Sequence, residues 1–138
     1  MDERAISSAV RAALEGTPGL VSAYLFGSTA EGRAHRESDV DVAVLIDRAT
    51  YPAAADRFDT RLRLITRLQS AIGREVDLVV LNDAPPQLGR HIMSNGRRLL
   101  VINAELDHAH RRLTLSRAAD LEPFLRRARA VKLRAIAQ

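Results

Sequence analysis

The sequence predicts an α/β fold: a small mixed β-sheet of about four strands with flanking helices and a helical C-terminus. Three observations predict it. Short apolar runs of strand length alternate with amphipathic stretches of helix length through residues 1–103. Gly and Pro mark the boundaries between them. Residues 104–138 carry helical periodicity and no strand signal. At 138 residues the chain is expected to be one domain, with 1–103 as its α/β core and 104–138 as C-terminal helices.

The elements follow in order. Ile6, Val10 and Leu14 recur every fourth residue, which predicts a helix over 2–15 that Gly16 and Pro18 end. Leu20 to Phe26 reads as a buried strand. A polar segment from Gly27 to Ser38 follows. Asp39 to Ile46 is the clearest strand in the chain. Residues 53–72 predict a long amphipathic helix, with Phe58, Leu62, Ile65, Leu68 and Ile72 facing inward and Gly73 as its stop. Glu75 to Leu81 is a third strand, broken by Pro85-Pro86. A short helix to about Asn95-Gly96 precedes a fourth strand over 98–103. Residues 105–119 predict a helix with a loose stripe of Leu106, Leu113 and Ala118. Asp120 is placed to cap a separate final helix, with Pro123 in its first turn and Leu121, Phe124, Leu125, Ala128 and Val131 along it.

The connection between the first two strands, 27–38, is only 12 residues long. A parallel crossover needs about a dozen residues or more, so antiparallel pairing is expected. That pairing would bring Gly27-Ser28 to face Asp39 and Asp41.

Composition narrows the function classes. The chain lacks cysteine, which excludes disulfides and thiolate zinc sites. No run approaches the roughly 20 apolar residues of a membrane span. The start, Met1-Asp2-Glu3-Arg4, does not read as a signal peptide. A soluble, cytoplasmic protein without membrane contact is expected. The 21 basic residues exceed the 17 acidic ones, giving +4, and the excess lies mainly in the last third. Such a balance suits an anionic partner. Aromatic residues make up only 4%, so no base-stacking platform is evident and direct nucleic-acid binding is not expected.

Asp39 and Asp41 are two apart on a strand, so both carboxylates point to one face. Asp77 enters the third strand between Val76 and Leu78. Asp is a poor strand former and is almost never buried unpaired. Two carboxylates about 4 Å apart repel by roughly 4 kcal/mol at an effective dielectric near 20. Against total stabilities of about 5–15 kcal/mol, such a cluster calls for cations. Oxygen-only ligands select hard ions, so Mg²⁺, with Mn²⁺ as a substitute, is expected. Singly, Asp39 would read as a strand-start residue and Asp77 as the partner of an Arg.

Gly27-Ser28 ends a strand and opens a tight turn where backbone can approach a phosphate. Gly27 and Gly32 are followed by Arg33-Ala34, so this is not a Walker loop, and no G-x-G-x-x-G fingerprint exists. The pair His108-x-His110 reads as a solvated helix face. His35 and His91 read as surface or packing residues.

The run Gly27-Ser-Thr-Ala-Glu-Gly-Arg-Ala-His-Arg-Glu-Ser-Asp-Val-Asp-Val-Ala-Val44 resembles the signature of the DNA polymerase beta-like nucleotidyltransferase superfamily. That signature is Gly-Ser, about ten residues, Asp-x-Asp, and a third carboxylate on a later strand, which Asp77 matches. His91 to Leu100 and Ala119 to Phe124 are similar to later parts of the minimal nucleotidyltransferases. Those are the MNT-domain antitoxins paired with HEPN-domain ribonuclease toxins.

The resemblance implies a palm-like fold and AMP transfer from ATP to a hydroxyl, a tyrosine of a cognate HEPN toxin, in the manner of a type VII antitoxin. It implies two Mg²⁺ ions on Asp39 and Asp41, with Asp77 holding the ion beside the attacking hydroxyl. Gly27 and Ser28 would hold the leaving pyrophosphate. Arg33 and Arg36 would add charge to the nucleotide site, since Glu31 stands where relatives often carry Arg. The expected partners are a nucleoside triphosphate and the toxin, in a homodimer or hetero-oligomer. The alternative is a non-catalytic antitoxin that neutralises its toxin by direct binding.

Overall fold

The computed structural model describes residues 1–32 and 39–137. Helix α1, Glu3–Leu14, starts where the Asp2 carboxylate accepts from the Ala5 amide at 2.8 Å. Strand β1 is Leu20–Phe26, and a single helical turn, α2, follows at Gly27–Ala30. Strand β2 is Val40–Ile46. Helix α3, Ala54–Ile72, closes on Gly73, whose φ of 74° is the left-handed conformation that ends helices. Strand β3 is Val76–Val80, followed by a 3-10 turn at Leu81–Asp83. Helix α4 is Pro86–Asn95, β4 is Arg97–Val101 and α5 is Ala104–Ala137.

The sheet order is β3-β2-β1-β4. β1 is antiparallel to both β2 and β4, as the short first connection requires, and β2 is parallel to β3 across α3. The sheet is therefore mixed. Alternation along β2 builds two cores. Val40, Val42, Val44 and Ile46 pack on α1 and α3 with Ile6, Val10, Leu64 and Leu68. Ala43 and Leu45 turn to the other face, in one core cluster with Ile92 and Met93 of α4. Asp41 belongs to this second face by alternation.

Helix α5 is anchored by one buried carboxylate. Asp107, 1% exposed, accepts from Ser22 Oγ at 2.5 Å, from Tyr24 OH at 2.7 Å and from Arg98 Nη1 at 3.1 Å. Burial alone would raise its pKa. The three donors outweigh that and hold it below the usual carboxylate value. Among the described residues no helix is long and apolar enough to cross a membrane.

Two expectations are corrected. The inward face of α3 is Arg57, Thr60, Leu64, Leu68 and Ile72, whereas Phe58 and Leu62 are 55% and 47% exposed. Ile65 packs only at the edge of the core. The stripe turns because Arg57 can be buried without an unmet donor. Its Nε and Nη2 both reach Asp83 at 2.9 Å, and Nη1 donates to the Tyr51 carbonyl. The second correction is that α5 is one helix and not two: Asp120 caps nothing, and Pro123 lies inside. Proline forfeits one backbone hydrogen bond. Ion pairs from Glu122 to Arg126 and Arg129, at 3.5 and 3.6 Å, bridge the site, and Ala, Leu and Arg neighbours favour helix.

Candidate active site

The site lies where β1 ends and β2 begins. Antiparallel register pairs Phe26 with Asp41, so the chain turns at Gly27 directly beside that carboxylate. Gly27 has φ 71°, a conformation other residues adopt only under strain. A Cβ there would also overlap the Asp41 carboxylate oxygen Oδ2. Glycine is thus required twice at one position. Ser28 follows in α2, half-buried.

Parallel register pairs Asp41 with Asp77 on the adjoining strand, so their side chains leave the same face of the sheet. Asp39 precedes β2 by one residue and is exposed; Asp41 is half-buried; Asp77 is exposed. The pKa of Asp41 is raised, by burial first, then by the negative charge of Asp77, then by that of Asp39. The structure therefore brings Gly27, Ser28, Asp39, Asp41 and Asp77 to one end of the sheet. Arg33 and Arg36, expected at the nucleotide, lie outside the described residues, as does His35.

The donor set can be tested for a divalent cation. Among the described residues, no three acidic or His side chains form a ready-made metal cage. Mg²⁺ rarely uses one: it binds through one or two carboxylates and completes its shell with water and substrate phosphate. An all-oxygen set, whose central carboxylate is half-buried beside two like charges, suits such an ion.

Sequence reasoning missed Arg61. Its Nη2 stands 3.9 Å from Asp77 Oδ1, and its Nε donates to the Leu78 carbonyl at 2.7 Å. With Gln69, whose side-chain oxygen accepts from the Val76 amide, it closes the outer edge of β3. Nothing in the spacing of α3 marks Arg61 out. The Asp107 anchor was missed as well, although two hydroxyls at i and i+2 on a buried strand, Ser22 and Tyr24, signal an acidic partner. Of the two histidines in His108-x-His110, His110 is half-buried, and burial lowers its pKa. An open groove of about 630 Å³ runs from Asp77 between α3 and the start of α4, past Phe58, Pro85 and Leu88.

The family model described as "Polymerase beta, Nucleotidyltransferase" matches residues 9–105. The protein adenylyltransferase MntA of Shewanella oneidensis is 40% identical over 84 residues, covering 59% of this chain and 55% of MntA. The chain thus spans about half the length of the curated relatives it matches. A toxin–antitoxin structure solved with AMP-PNP superposes at a TM-score of 0.65 with 27% identity, covering 100% of both chains. A complex of a tri-AMPylated Shewanella oneidensis HEPN toxin with MNT antitoxin shares the fold, at a TM-score of 0.64, 23% identity and 99% coverage of both chains. The matched span holds every element that positions the site, from β1 through β4, and on that ground the chain belongs to the polymerase beta nucleotidyltransferase family.

Proposed function

We propose that this chain transfers AMP from ATP to a tyrosine hydroxyl of a cognate HEPN-domain toxin and silences it. The observation that carries the reading is the side-by-side register of Asp41 and Asp77 with Gly27 packed on Asp41. The MntA relative, named a protein adenylyltransferase, and the antitoxin fold solved with AMP-PNP support it.

Asp39 and Asp41 would hold two Mg²⁺ ions, and Asp77 the one on the acceptor side. Bound there, the ions would stabilise the charge on the attacking and leaving oxygens. Gly27 gives the triphosphate a close approach to backbone, and its N–H with the Ser28 hydroxyl would donate to the departing pyrophosphate. Arg33 and Arg36 are proposed to add positive charge on the same side. The groove beside Asp77 would admit the acceptor, whose oxygen bonds to the α-phosphorus as the α–β bridge breaks. The hydroxyl proton leaves toward Asp77 or solvent.

The test is label transfer from α-labelled ATP with Mg²⁺ to a cognate HEPN toxin. Wild-type protein labels the toxin and Asp41→Asn does not. No transfer by the wild type, or undiminished transfer by the variant, rejects the reading.

A further inference from the structure

From Leu121 onward the long helix carries an apolar stripe that, among the described residues, the body of the protein leaves uncovered, with Arg127 of the same helix over the Phe124 ring at 4.8 Å. Leu121, Phe124, Ala128, Val131 and Ala135 recur at alternating spacings of three and four, the a and d positions of a coiled-coil heptad. All are exposed, Phe124 by 62% and Val131 by 63%. Near the start of the stripe Glu122 pairs with Arg90 of α4 at 4.0 Å. A helix left with an apolar seam in water is a docking element.

The flanks identify the occupant. With Leu121 as a position a, Arg127 and Arg134 fall at g and Lys132 at e. A second copy packed in parallel would set Arg127 against Lys132; packed antiparallel, it would set Arg127 against Arg134. Like charges at these positions work against self-pairing and select an acidic helix. The family model ends at residue 105, just inside α5, so this tail lies outside what the nucleotidyltransferase fold needs. The antitoxin fold solved with AMP-PNP, in contrast, covers the whole chain.

We infer that residues 121–137 form the toxin-docking helix, seating Phe124 and Val131 against an acidic amphipathic helix of the HEPN partner. This rests on the proposed function for the partner's identity, and the experiment separates the two. Titration of the cognate HEPN toxin compares the wild type with Phe124→Glu/Val131→Glu and with Arg127→Glu/Arg134→Glu. Each variant is also melted with and without ATP and Mg²⁺. Both variants are expected to raise the Kd at least tenfold and to keep the nucleotide-dependent rise in Tm.

An unchanged Kd overturns the inference, even where label transfer upholds the enzyme. It does so equally if sedimentation shows the seam joining two copies, or if the tail is found to bind RNA. Tail-dependent binding without label transfer upholds docking and rejects the enzyme.

Discussion

Asp41 and Asp107 lean on the same sheet and have opposite surroundings. Asp107 is buried against β1 among three donors, and its pKa falls. Asp41 is half-buried without such donors, and its pKa rises, through burial first and then the charges of Asp77 and Asp39. One carboxylate is satisfied by the fold and holds α5 in place. The other is left at odds with its surroundings, as a site is when its partner arrives with the substrate. The first serves stability, and the proposed function places the chemistry at the second.

That contrast can be broken from either end. The largest effect is expected from Asp41→Asn, which should cut AMP transfer by about a thousandfold, roughly 4 kcal/mol of barrier, measured by label incorporation. Next is Asp107→Ala, which leaves Ser22, Tyr24 and Arg98 without their acceptor. Denaturant unfolding should show a loss of about 3 kcal/mol, as buried hydroxyls left unpaired cost. Gly27→Ala should cost about 1–2 kcal/mol for its positive φ alone. By pushing Asp41 aside it should also lower transfer more than it lowers stability. Triple replacement of Asp39, Asp41 and Asp77 by Asn separates catalysis from sequestration: protection of cells from the toxin should vanish while binding persists.

The smallest effect is in pH dependence, and its sign differs between the two residues. A raised folded pKa means that the native state holds its proton longer, so stability falls as pH rises from the ordinary carboxylate value through the raised one. Melting curves of wild type and Asp41→Asn should therefore coincide in acid and diverge above that range, the Asn variant being the more stable. Asp107 works the other way. Its contribution is full above the ordinary value and disappears as pH falls through the lowered one.

Much of this was legible in the sequence. The alternation of Asp41 with the valines of β2 predicted both the strand and the face that Asp41 takes opposite those valines. The 12-residue connection predicted the antiparallel pairing that sets Gly27 beside Asp41. What escaped reading depended on distant partners. The burial of Arg57 is sensible only once Asp83 is known to meet it, 26 residues on. Without that pair, periodicity assigns Phe58 and Leu62 to the core and misses that α3 exposes both, Phe58 in the groove at Asp77. Pro123 reads locally as the start of a helix, and the ion pairs of Glu122 across it, with helix-favouring neighbours on both sides, carry α5 through.

The central claim is that metal-bound nucleotide relieves the crowding of Asp39, Asp41 and Asp77. Thermal unfolding with and without ATP and Mg²⁺ tests it most directly. At a hundredfold excess over Kd the wild type should gain about 2.7 kcal/mol, while Asp41→Asn, more stable at rest, should gain nothing. An equal gain in both proteins, or none in the wild type, would contradict it.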